Sequence, residues 1–288
     1  MADVNPTVRQ RELGARLRRL RNEQRLTVEE VAEKLLCSAT KISRIETATR
    51  KPTLRDVRDL SQLYGLTPAD TDELMNLARQ AREPGWWTQY DDLDLEPYIG
   101  LEQNAASITC FTMYHAPALL QTGEYAQAMI KGVAPRIDPS VLDQRVEARL
   151  RRQQRLEQDS PPRYRAIVDE AVLHRQVGGP AVMQAQLGRF LEFERAGKVT
   201  IQVVPFDSGA HGAQDSSFVF LEFEEPPLSP VVFVEGLVRN SYHDRKSEVD
   251  RYREALEYLR DFALSPRDSV LRIEQIRKTY ADGTTPSA

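Results

Sequence analysis

Residues 27–53 read TVEEVAEKLLCSATKISRIETATRKPT, two short helical patterns joined by very little chain. The first pattern runs over Val28–Leu35 and the second over Ala39–Glu46. A connection of only about three residues cannot carry the chain back along the first helix. It forces a sharp crossing, the geometry of a helix-turn-helix. This pair constrains the chain more than any other stretch, because both helices need apolar partners that only the flanking sequence can provide.

The flanks provide them. Thr7-Val8-Arg9-Gln10, Thr27-Val28-Glu29-Glu30 and Thr53-Leu54-Arg55-Asp56 each place a hydroxyl three residues ahead of an acceptor side chain, the spacing of a capping box. Ser38 is a further N-cap, and Thr67-Pro68 puts proline at a first helical position, where its missing N–H costs nothing. Behind these starts, apolar residues recur at helical spacing: Leu13, Leu17 and Leu20; Val28, Val31, Ala32 and Leu35; Ile42 and Ile45; Val57, Leu60 and Leu63 or Tyr64; Leu74, Leu77 and Ala81. Five helices with one apolar stripe each predict a small all-α bundle over residues 1–82.

In that bundle the outward positions of the third helix are Ala39, Thr40, Lys41, Ser43 and Arg44. They are small, hydroxylic or basic, a surface able to enter a major groove without steric or charge conflict. Ser38 precedes them, Arg50 and Lys51 follow within reach of phosphate, and Thr27 offers a hydroxyl and a backbone N–H at a helix start. Charge is distributed to match: Arg9–Arg58 carries 14 Lys or Arg against 7 Asp or Glu, whereas the chain as a whole has a net charge of −4. A structural helical hairpin without ligand remains the alternative at this point.

The stretch resembles the lambda-repressor-like, or Xre-type, helix-turn-helix family. The matching pieces are LGARLRRLRNEQRLT, EEVAEKL, S-x-x-K-I-S-R-I-E and R-K-P-T. The resemblance implies that Thr40, Lys41, Ser43 and Arg44 face bases and nearby backbone. The family often has glycine after its second and third helices; this chain has Leu36 and Ala48, which predicts turns that are either wound differently or strained.

Pro84-Gly85 ends the bundle, and residues 83–97, with Asp91, Asp92, Asp94 and Pro97, are expected to be a linker. Trp86 and Trp87 stand there, either packing into a domain seam or anchoring a partner. Residues 98–280 mix patterns. Strands are predicted at Ile108–Tyr114, Tyr164–Val168, Val199–Val204, Phe218–Phe223 and Val231–Glu235. Helices are predicted at Gly123–Ile130, Pro139–Gln158, Ala181–Ala196, Lys246–Phe262 and Pro266–Tyr280, with residues 281–288 a frayed tail. The expected class is multi-domain, an all-α DNA-binding domain followed by an α+β effector and dimerisation domain.

In order along this segment lie HAPALLQTGEYAQAMI, RVEARLRRQQRL, DEAVLHRQVGG, MQAQLGRFLEF, IQVVPFDSGAHG, SFVFLEF and VVFVEG. The set resembles the effector domain of the antitoxin-like transcriptional regulators of actinobacteria. That resemblance implies a regulator that often lies beside a gene for a small partner protein; it implies no ligand or reaction.

The residues themselves point to no chemistry. His115, His174, His211 and His243 have no metal-ligand spacing among themselves or with Cys37 and Cys110. No G-x-S-x-G, phosphate-binding G-x-x-x-x-G-K-[ST] or G-x-G-x-x-G occurs. No metal, no cofactor and no enzyme activity are therefore expected. Arg145, Arg149 and Arg152 share a helix face and either hold an anionic ligand or pair with acids such as Glu147. The loop Phe206–Ser217, with His211, either closes over a ligand or joins two strands. No apolar run approaches the ~20 residues of a membrane helix, the first residues have no signal-peptide core, and two cysteines make no disulfide framework. The expectation is a cytoplasmic homodimer that binds double-stranded DNA and a small protein or ligand. An enzyme or a protein-interaction adaptor in the C-terminal domain, with the helix-turn-helix as a targeting or docking module, is the alternative.

Overall fold

The structure is a computed structural model and describes residues 6–90, 96–224 and 228–281. The acidic run of the expected linker and the expected tail from 282 onward lie outside the described residues. The chain forms two compact units, one built on residues up to Gln89 together with the segment through Asn104, the other on Ala105–Glu224 and the chain from Pro230.

The first unit contains α1 (Pro6–Glu23), α2 (Val28–Lys34), α3 (Ala39–Glu46), α4 (Leu54–Leu63) and α5 (Pro68–Gln80). Thr27 and Thr53 close complete capping boxes with Glu30 and Asp56, and Ser38 and Thr67 accept from the backbone three residues on. Thr7 is not a cap: α1 begins at Pro6, and its 18 residues place Thr7 inside the first turn. Leu13, Leu17, Val31, Ile42, Ile45, Val57, Leu60, Leu74 and Leu77 meet in one core, with Leu20, Val28 and Leu35 packed around it. A further helix, α6 (Glu96–Asn104), belongs to this unit and packs against α1. The expected start of the second domain at residue 98 falls inside this helix. Pro97 sits in its first turn, where proline is tolerated, so what reads as a breaker is a helix start.

Four successive turns of this unit share one geometry. Arg25, Leu36, Ala48 and Gly65 adopt left-handed backbone at φ 55°, 52°, 56° and 70°, each just past a helix. In each turn two N–H groups return to the last helical turn, as Leu36 N to Glu33 O and Cys37 N to Ala32 O do after α2. Three of the four positions lack glycine, so the turns at Leu36 and Ala48 are wound as glycine would wind them, and the branched or methyl side chain bears the strain.

Two ties set the angle of α3. Gly14 lies where α1 crosses the end of α3: a Cβ there would stand 2.7 Å from the Ile45 carbonyl oxygen and 2.9 Å from that of Glu46. On the other side, Lys41 Nζ of α3 reaches Asp56 of α4, the same carboxylate that accepts from Thr53 N. Burial pushes the Asp56 carboxyl up, but the bonds from Lys41 and Thr53 outweigh it and hold the group below its ordinary value.

The second unit is built on one six-stranded sheet of order β3-β2-β1-β4-β5-β6. The strands are β1 (Ser107–Thr112), β2 (Arg163–Asp169), β3 (Val199–Val204), β4 (Phe218–Glu222), β5 (Val231–Val234) and β6 (Ser241–His243). β1, β2 and β3 run parallel, with Cys110 opposite Ala166 and Ala166 opposite Ile201. β4, β5 and β6 add antiparallel, with Phe111 opposite Phe218 and Val232 opposite His243. Crossovers from one parallel strand to the next run through α7 (Gly123–Val133) and α8 (Pro139–Gln153), then through α9 (Ala171–His174) and α10 (Pro180–Arg195). α11 (Lys246–Phe262) buries Val249, Leu256 and Leu259 against Phe111, Phe218, Phe220 and Val232, and α12 (Pro266–Ala281) packs on β3 and α10. The edge of β3 is covered: Val203 N donates to Ser269 Oγ at 3.0 Å and Val203 O accepts from Leu264 N at 2.8 Å.

Three outcomes test this packing. Alanine gains about 1 kcal/mol of helix propensity over glycine, but overpacking against fixed backbone costs about 3 kcal/mol, so Gly14→Ala should lower stability by about 2 kcal/mol, read from the urea midpoint. Because Leu36 is almost fully exposed, Leu36→Gly should raise stability by about 0.5–1 kcal/mol, while Gly65→Ala should lower it by about 1 kcal/mol. The depressed Asp56 pKa makes a contribution that is complete above its unfolded value of about 3.9 and is lost as pH falls below it. On acidification the urea midpoint of the wild type should therefore drop more steeply than that of Asp56→Asn.

Candidate nucleic-acid interface

α3 buries Ile42, Ile45 and Glu46 and turns Thr40, Ser43 and Arg44 to solvent, with Ala39 half-buried. Ser38 accepts from Lys41 N at 3.2 Å and keeps its hydroxyl hydrogen for an external acceptor. Thr47 and Thr49 donate to Ser43 O and Arg44 O, and Arg50 N also donates to Arg44 O. This knot turns the chain so that Arg50 and Lys51 follow α3 closely, both exposed. Arg44, Arg50 and Lys51 enter no ion pair among the described residues, so three exposed cations accompany the exposed hydroxyls of Ser38, Thr40 and Ser43.

Two residues of the expected surface are engaged within the unit. Lys41 is half-buried and its ammonium is turned onto Asp56, so it does not stand open beside Arg44. Thr27 donates its N–H to Glu30 Oε2 at 2.7 Å, and its hydroxyl accepts from Glu30 N at 3.1 Å. The backbone N–H that the sequence analysis offers to phosphate is thus taken, and the Thr27 hydrogen bonds hold the Glu30 carboxyl below its ordinary pKa. A carboxylate at that helix start disfavours phosphate there.

Behind the surface, Arg21 of α1 grips Glu46 of α3 through Nε to Oε1 at 2.7 Å and Nη2 to Oε2 at 2.9 Å, and a third bond runs from Nη1 to Leu26 O. The pair is largely buried, with side chains 12% and 5% exposed. Removing one partner of such a pair strands the other charge, at a cost of about 3–5 kcal/mol. Gln10 Nε2 adds a bond to Ala48 O at 2.7 Å, so α1 holds both the end of α3 and the strained turn after it. Sequence reasoning missed these tethers; Arg21 and Glu46 lie 25 residues apart and share no local pattern.

The candidate residues outside α3 are placed differently. Trp87 is buried and Trp86 half-buried, their rings edge-to-face at 5.8 Å, with Trp87 lying over Gly85. In the second unit the basic face of α8 turns inward. Arg152 is buried, and Arg149 Nη1 donates to Gln121 Oε1 at 2.8 Å. Gln153 donates to Ala118 O and Gln121 O and accepts from Arg189, and Gln186 donates to Leu120 O. Arg145 is half-buried on the same helix. The sequence leaves this face open between a site for an anionic ligand and an exposed face paired with acids; in the structure Arg149 meets Gln121 and Arg152 is buried. His211 packs against Phe111 and Phe262 at 5.6 and 6.3 Å. No group of three or more His, Cys, Asp or Glu able to hold a metal ion occurs among the described residues. Among those residues no helix is long and apolar enough to cross a membrane.

Comparison with known proteins finds two matches along the chain, and the second of them takes in α6. No curated protein and no solved structure matches the chain. Residues 12–74 match the model of a helix-turn-helix domain, the module of DNA-binding regulators, and they contain α2, α3 and the exposed Thr40, Ser43 and Arg44. Residues 95–275 match a second model, covering more than half of the sequence. Behind its helix-turn-helix domain, the chain belongs to the family described as a domain of unknown function (DUF5753).

Proposed function

We propose that this protein is a sequence-specific DNA-binding transcriptional regulator of the Xre-type, antitoxin-like kind, acting in the cytoplasm as a homodimer. The observation that carries the reading is the outer surface of α3. Thr40, Ser43 and Arg44 are exposed and uncharged or cationic, and the exposed Arg50 and Lys51 follow shortly in the chain. On this reading Arg44, Thr40 and Ser43 touch base edges in the major groove, while Ser38, Arg50 and Lys51 hold phosphate. Lys41 joins them only by exchanging Asp56 for DNA. One short helix reads too few base pairs for a specific site, which supports a dimer on a two-fold operator.

The C-terminal unit is assigned the dimerising and sensing role, toward a small protein encoded nearby or a small ligand. No catalytic role is assigned to it. Its deep polar network and covered β3 edge suit a rigid receiving domain.

Operator fragments selected from a randomised duplex pool provide the test. Arg44→Ala should weaken binding by about 1–3 kcal/mol and relax preference at one base position. Arg50→Ala should weaken all sequences alike and lower the salt slope by about 1. Affinity that ignores both salt and Arg44→Ala, measured by fluorescence anisotropy, would remove the reading.

A further inference from the structure

In the second unit a cavity of about 420 Å³ lies between the loop after β3, the start of β4, β6 and α11. That is the size of a small-molecule site, on the order of 300–1,000 Å³. Its walls combine two kinds of group. Phe218 of β4, His243 of β6 and Tyr252 of α11 form an aromatic corner, with ring centroids 4.9 Å apart for Phe218–Tyr252 and 5.4 Å for His243–Tyr252. Asp215 of the loop and Glu248 of α11 add two carboxylates, and Glu248 Oε2 stands 3.4 Å from His243 Nδ1. Arg251 is the one guanidinium of the lining and is exposed.

This lining selects by charge and by shape. Aromatic faces carry negative quadrupole density and attract cations, more strongly when water is displaced. Apart from His243, which faces Glu248, two carboxylates stand against one exposed guanidinium, and burial together with Glu248 pushes the Tyr252 phenol up, keeping it neutral. Phe218 and Ala255 give an apolar floor for an uncharged body. The loop that supplies Asp215 is held at both ends. Phe206 N donates to the buried Glu170 carboxylate at 3.0 Å, and Ser217 Oγ accepts from Met113 N at 3.1 Å. An occupant would therefore bridge this anchored loop to α11.

We propose that the cavity is an effector site for a small organic ammonium ion with an apolar or aromatic body. The proposal rests on the sensing role assigned to the C-terminal unit. The ammonium sits between Asp215 and Glu248 and against the Tyr252 ring, and the body fills the space toward Phe218 and Ala255.

Titration calorimetry on the full chain, without DNA, tests it with phenethylamine hydrochloride, 2-phenylethanol and phenylacetate as probes. Phenethylamine should bind saturably, and the alcohol and the carboxylate should bind about tenfold more weakly or not at all. Asp215→Asn with Glu248→Gln should weaken phenethylamine about tenfold or more with the melting curve unchanged. Ala255→Phe, which fills the cavity without touching a charge, should also abolish binding. Absence of saturable binding, equal or tighter binding of phenylacetate, or undiminished binding in these variants overturns the proposal. Because binding is read without DNA, such a failure leaves the DNA-binding reading to its own anisotropy test.

Discussion

The crossing of α1 over α3 at Gly14 governs the rest of the first unit. With no Cβ at that position the two backbones meet, and carbonyl oxygens of Ile45 and Glu46 occupy the space a side chain would need. Arg21 then reaches Glu46 with two short bonds, and Gln10 reaches the carbonyl of Ala48. Three contacts along one helix thus fix the axis of α3, its rotation and the turn that ends it. The exposed residues of α3 inherit their direction from this clamp, since a helix cannot rotate while a buried bidentate ion pair holds one face.

The same clamp reaches one of two strained turns, that at Ala48. Leu36 and Ala48 hold left-handed backbone without being glycine. Each is over-determined: the N–H groups around it close onto the preceding helix, and Ala48 O accepts from Gln10. Local strain of about 1–2 kcal/mol is tolerated where the hydrogen bonds on both sides over-determine the backbone. Arg44 and Arg50 lie on either side of the Ala48 turn, so the strain sits inside the proposed contact surface. In the second unit the equivalent organising element is Glu170. It is buried, accepts from Phe206 N and Arg272, and so joins the end of β2 to the loop after β3 and to α12.

Much of this architecture is legible locally. The capping residues Thr27, Ser38, Thr53 and Thr67 mark four helix starts, because hydroxyls satisfy the orphan N–H groups there. The runs that become β1 to β5 stand out through their Val, Ile, Phe and Tyr content. Elements that depend on partners do not stand out. β6 has only three residues, and its pairing with Val232–Val234 defines it. α6 begins at a Glu-Pro pair and contains Gly100, so its local preference is weak, and packing on α1 decides it. Spacing alone leaves the basic face of α8 open between a ligand site and an exposed one; the partner of Arg149, Gln121, comes from another part of the chain.

By itself, the amino-acid sequence determined a helix-turn-helix followed by a mixed domain, and it determined which residues of α3 are small, hydroxylic or basic. Those are properties of spacing and side-chain chemistry, readable within a turn or two. The tertiary structure alone decided that Lys41 turns to Asp56 and that the strands order as β3-β2-β1-β4-β5-β6. It also decided that Asp215, His243, Glu248 and Tyr252 line one cavity. Which charges meet, and which side chains share a wall, depends on long-range contacts made only once each unit is packed.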